Sequence, residues 1–168
     1  MTLATPRTWV VGEVVTAAYM NAEIRDQWND MLAGWTSYTP AWTATGTAPV
    51  LGNGTIFGRY KVVGKVCTVA FEQVMGTTTT FGTGAWGWSL PFTAASPASS
   101  STNFGYLGTA RGHSATAWYT GALNVAKGSA IARAYSHAAA TDWSNSQPHS
   151  WVGASTNFLN ALVTYETV

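Results

Sequence analysis

Only one stretch of this chain, Thr16 to Leu32 (TAAYMNAEIRDQWNDML), carries a convincing helical period, and everything after it reads as strands and turns. At 3.6 residues per turn, Ala17, Met20, Ile24, Trp28 and Met31 fall on one narrow stripe with Leu32 beside it, while Glu23, Asp26 and Asp30 share the opposite face. Thr16 suits an N-cap, Val15 is placed to staple onto Met20, and Gly34 stands where a stop is expected. A stripe this narrow resembles a coiled-coil seam, and Gln27 on its flank is placed to set register. The helix would be about 25 Å long, too short to be stable alone in water. It must bury the stripe, either on its own β domain, or against copies of itself or within a larger assembly.

Before the helix, Met1 to Val15 shows no clear period. Trp9, Val10, Val11, Val14 and Val15 make it too apolar for a free tail, so an extended, docked arm is expected, with Trp9, Val11 and Val14 as its anchors. The segment lacks a basic start followed by a long apolar core, so it predicts no signal peptide, and no run approaches a membrane span.

After Gly34 the pattern is β. Thr36 to Thr45 is rich in Thr and aromatics, with Pro40 confining it to a sheet edge or bulge. The clearest hairpin runs from Ile56 to Val62, turns at Val63-Gly64, and returns over Lys65 to Met75. In the returning strand Cys67, Val69, Phe71 and Met75 share one face, and Val66, Thr68, Ala70, Glu72 and Val74 the other. Further strands are expected over Ala85 to Phe92, with Trp86 and Trp88 on one face, and over Phe104 to Arg111, Ala115 to Val125, Ile131 to His137 and Phe158 to Thr167. Loops are expected at Gly76 to Gly84, Ala94 to Asn103 and Ala138 to Gln147. The expected architecture is mainly β: an arm and helix over 1–34, then an antiparallel sandwich or jelly-roll-like domain over 35–168.

Composition narrows the function. Charged residues make up 9% of the 168 residues, against roughly 25% in an ordinary soluble domain, so partner subunits are expected to cover part of the surface. A net charge of +1 with scattered basic residues argues against nucleic acid and anionic membranes as partners. Cys67 is the sole cysteine and reads as a small buried residue. His113, His137 and His149 lack a second ligand at metal spacing, and Gly112-His113-Ser114 lacks the glycine and strand-to-helix setting of a nucleophile elbow. Beyond the helix the only carboxylates are Glu72, Asp142 and Glu166, thin material for a hydrolase. Neither catalytic residues, a metal site nor a cofactor is expected. Binding is the remaining role, and Trp is its one signal. Of Trp86, Trp88, Trp118, Trp143 and Trp151, the pair in the long loops, Trp143 and Trp151, are the candidate ligand-binding residues, and the rest read as packing.

Three segments also resemble a known family. At the start stand Arg7-Thr8-Trp9, Gly12-Glu13, Val15-Thr16-Ala17, Asn21 and Ile24-Arg25-Asp26. In the middle stand Tyr38-Thr39-Pro40, Trp42, Gly52-Asn53-Gly54-Thr55, Gly58-Arg59-Tyr60 and Gly64-Lys65, and at the end Thr164-Tyr165-Glu166. Together these resemble small tail structural proteins of phages infecting actinobacteria and of related prophages. The resemblance implies a virion component, assembled in the bacterial host cytoplasm, with an N-terminal helix that anchors or trimerises and an outward β domain. Its expected partners are two further copies of itself, other tail proteins and a host-surface glycan. A capsid-decorating fibre is a close variant. A lone carbohydrate-binding module using exposed Trp is the alternative from another class.

Overall fold

The computed structural model describes residues 5–137 and 141–168. Residues 138–140, within the loop expected at 138–147, lie outside the described residues, as do residues 1–4 of the arm. The structure is mainly β: one helix and nine antiparallel strands. The strands are β1 (Thr36–Tyr38), β2 (Trp42–Ala44), β3 (Thr55–Val63), β4 (Val66–Val74), β5 (Trp86–Ser89), β6 (Gly105–His113), β7 (Trp118–Ala126), β8 (Ile131–Ser136) and β9 (Phe158–Glu166). They form one continuous sheet in the order β1-β3-β4-β9-β6-β7-β8-β5-β2.

That order forces the sheet to curl. Flat, its two ends would stand about 38 Å apart at about 4.8 Å per strand. Yet the end strands β1 and β2 are joined only by Thr39, Pro40 and Ala41, and the chain from Tyr38 to Trp42 reaches at most about 14 Å. The segment predicted as one strand over Thr36 to Thr45 is therefore two edge strands with buried Pro40 at the joint. Pro40 has no N–H to leave unpaired there. Ser89 ties the joint, its N–H donating to the Ala41 carbonyl (2.9 Å) and its Oγ accepting from the Ala41 N–H (2.8 Å). Opposite, a Cβ at Gly58 would sit 2.5 Å from the Tyr38 ring, so only glycine lets the edge close down.

The expected β3–β4 hairpin is present, with Val63 opposite Val66. Its two turn residues are Gly64 and Lys65, one later than expected, because Gly64 supplies the positive φ (60°) the first turn position needs. The inner face of the curl is filled by Cys67, Val69, Phe71, Leu123, Val125, Leu159, Val163 and Tyr165 around Trp86, Trp88, Trp143 and Trp151. Gln73 belongs to the same inward series and is fully buried. It stays satisfied because its Oε1 accepts from the Trp88 indole N–H at 2.7 Å.

The helix runs through Ala17–Met20, a π turn at Asn21–Arg25, and Asp26–Leu32. Thr16 caps it as expected, its Oγ1 accepting from the Tyr19 N–H (3.3 Å). Two details differ from the sequence reading. Ala33 already turns extended (ψ 143°), so the helix stops before Gly34, which does not adopt the positive φ of a glycine cap. The π turn takes in one extra residue, so Trp28 and Met31, which follow it, are rotated by about 100° from the line through Ala17 and Met20, with Ile24 inside the turn between them. The stripe is thus stepped rather than straight.

Candidate functional site

Every apolar residue of the helix stripe is exposed. No residue in any of its three segments is buried, and Trp28 keeps 56% of its surface accessible. Gln27, beside the stripe, points its amide back to the Ala22 carbonyl (3.3 Å). The arm differs from the extended segment expected. It turns at Gly12 (φ 86°), where the Glu13 N–H donates to the Val10 carbonyl (3.1 Å), and comes back onto the helix start. Arg7 makes the joint. Its guanidinium pairs with Glu13 and lies over the Trp9 ring (4.8 Å) and the Tyr19 ring (4.0 Å), and its backbone N–H donates to Glu23 in the π turn (3.2 Å). Arg7, Trp9, Gly12 and Glu13 of the quoted N-terminal motif thus build one knot. Trp9, Val11 and Val14, the expected anchors, are exposed.

The two loop tryptophans are not a ligand platform as the structure stands. Trp143 is fully buried and Trp151 nearly so. Trp143 is pulled inward by its backbone, whose N–H donates to Ala134 of β8 (2.7 Å) and whose carbonyl accepts from Trp86 of β5 (2.8 Å). It therefore fills the seam between two strands. Trp151 packs on Trp86 (5.4 Å) and on His149 (4.2 Å), and its indole N–H donates to the Gln147 carbonyl (3.0 Å). His149 is held between Trp151 and Tyr119, and burial pushes its imidazole below the ordinary histidine range. Burial likewise pushes the Cys67 thiol up, away from a reactive thiolate.

Exposed aromatic surface on the β domain lies elsewhere, on the outer face of the wall β3-β4-β9-β6-β7. Each of these strands is nine residues long. One row of this face runs Phe57, Glu72, Asn160, Arg111, Thr120 across all five. Within it the Asn160 amide donates to Glu72 Oε2 (2.7 Å), and Arg111 Nε donates to Asn160 Oδ1 (3.2 Å). The Arg111 guanidinium lies over Trp118 (4.8 Å), which is 57% exposed and borders His113 and Phe158. At the other side Arg59 lies over Trp35 (5.0 Å), itself 41% exposed. Two shallow hollows, of about 330 and about 260 Å³, meet at Asn160. Parity gives Trp118 away in the sequence, because Leu123 and Val125 point inward and Trp118 has the opposite parity.

Among the described residues no group of three His, Cys, Asp or Glu side chains gathers as metal ligands. Glu72 and Glu166 stand far apart along the β4–β9 ladder, opposite Asn160 and Val66, while Asp142 pairs with Arg133 (3.5 Å). No helix is long and apolar enough to cross a membrane. Compared with protein-family models, curated proteins and solved structures, the chain matches none.

Proposed function

We propose that this chain is a non-catalytic structural and attachment protein of a phage particle, a short tail fibre or tail-tip protein. Residues 1–34 are its assembly and anchoring module, and residues 35–168 its outward domain. Three copies associate through their helices, and the arm knot fixes where each helix begins. The observation that carries this reading is the helix stripe: Met20, Ile24, Trp28, Met31 and Leu32 are all exposed in the single chain. Apolar surface of that extent on a short helix calls for a partner, and closed symmetry supplies the simplest one. The N-terminal resemblance to phage tail proteins supports the same reading, and a capsid-decorating fibre shares all of it except the place on the particle.

Light scattering on the full chain beside a chain beginning at Trp35 tests the assembly. A trimer that becomes a monomer without the helix is the expected result. A monomeric full chain, together with antibodies that fail to label particles, overturns the proposal.

A further inference from the structure

Deepening the attachment reading, on whose premise of a binding protein it rests, we infer that the outer face of the β3-β4-β9-β6-β7 wall binds an acidic polysaccharide, with Arg59 and Arg111 as its two anion contacts. The argument starts from the arginines. Each lies over a partly exposed tryptophan, Arg59 over Trp35 and Arg111 over Trp118. Among the described residues the Arg59 side chain makes no hydrogen bond, and the Arg111 side chain bonds only through Nε. The terminal nitrogens of both forks are therefore open to a ligand. Arg111 is also held in place, since Glu72 orients Asn160 and Asn160 orients Arg111. A guanidinium fixed at its Nε and by its flat face presents its outer N–H pair to a carboxylate at small entropic cost.

The two arginines are three strand spacings and two residues apart, roughly 16 Å across the sheet. Between them lies the trough formed by the two hollows, with Asn160 at its centre. Its floor carries no cation: Glu72 and Asn160 supply polar groups beside the apolar Ala70 and Leu162, and the Thr109 hydroxyl stands on the Arg111 strand. A ligand that fits carries acidic groups at intervals and hydroxyl groups between them, with ring faces to lie on tryptophan. A nucleic acid fits poorly, because the trough offers only two arginines, too few to neutralise a run of phosphates. A peptide adding as a strand finds no edge, because β4, β9 and β6 are paired on both sides.

Full-length protein is titrated with polygalacturonate and with hyaluronate, and with neutral dextran as reference, at physiological ionic strength. The acidic polymers are expected to bind and dextran is not. Arg59→Gln and Arg111→Gln should each weaken binding about tenfold or more. Lys65→Gln, which removes the same charge at the β3–β4 turn, should leave binding unchanged. The inference is overturned if neither acidic polymer binds better than dextran, or if Lys65→Gln costs as much as the arginine variants. It is also overturned if the arginine variants alter the solution mass, since another copy then occupies this face. A chain that assembles through its helix yet ignores both polymers removes this inference alone. A monomer that binds them removes the fibre proposal and leaves the site.

Discussion

The curled sheet and the N-terminal helix use apolar residues in opposite ways. In the sheet, Trp86, Trp88, Trp143 and Trp151 are buried against one another and against the inward faces of β4 and β9. In the helix, Met20, Ile24, Trp28 and Met31 remain exposed, and none of its residues is buried. The inner face of the sheet buries its apolar residues against one another, and the helix displays its own. On the proposed function, the contrast separates what holds this chain folded from what it offers to partners, and substitutions in the sheet core and on the helix stripe should report on different roles.

The largest effect is expected at Trp86, whose ring meets Trp42, Phe81, Trp88 and Trp151. Trp86→Ala should cost about 3–5 kcal/mol of stability in denaturant unfolding, through lost transfer energy and the cavity left behind. A loss under about 1 kcal/mol would mean the aromatic cluster is loosely packed. Next comes Gln73, where the issue is polar rather than apolar. Gln73→Leu keeps the volume but leaves the buried Trp88 indole N–H without its acceptor, and about 1–3 kcal/mol should be lost. Unchanged stability would show that the Trp88 N–H finds another partner.

Gln73 also marks where the sequence stops being readable. Alternation from Cys67 through Met75 places it inward, but its chemistry argues for outside, and only Trp88 from another strand reconciles the two. Strand alternation made β3, β4, β6, β7, β8 and β9 visible, and helical period with Thr16 made the helix visible. The burial of Trp143 and Trp151 is not legible in the sequence because loops have no period to say which way a side chain points, and backbone pairing to β8 and β5 decides it for Trp143. The trough on the outer wall had no local signal. Glu72 and Asn160 stand 88 positions apart, and Arg111 and Asn160 49. They meet because β9 inserts between β4 and β6, a topology that alternation along single strands does not encode.

A smaller effect is expected from His149. It sits between Tyr119 and Trp151, with His113 as the nearby titratable group, and its Nε2 has no hydrogen-bond partner among the described residues. Burial lowers its proton affinity in the folded state. At neutral pH both folded and unfolded chains hold it uncharged, so nothing is lost. As pH falls below the ordinary histidine value of about 6.5, the unfolded chain takes up a proton that the folded chain resists, and stability declines. Unfolding midpoints from pH 7 downward should show this slope, and His149→Gln should flatten it. The same slope in the variant would assign it to other groups.

The smallest effect on stability, and the sharpest test of the contrast, belongs to the helix. Ile24→Asp and Trp28→Asp place charges on surface that stays exposed in the single chain, so the unfolding midpoint of the sheet should move by no more than about 0.5 kcal/mol. The same substitutions should convert the assembled protein into monomers, because a desolvated carboxylate in a helix seam is costly. The two readouts stay independent only if dissociation of the helices is uncoupled from unfolding of the sheet. A midpoint that falls along with the solution mass would therefore show that the helix stripe rests on the sheet, of its own or a neighbouring copy. Melting unchanged and mass reduced is the result that keeps the two regions apart, one holding the fold and the other building the assembly.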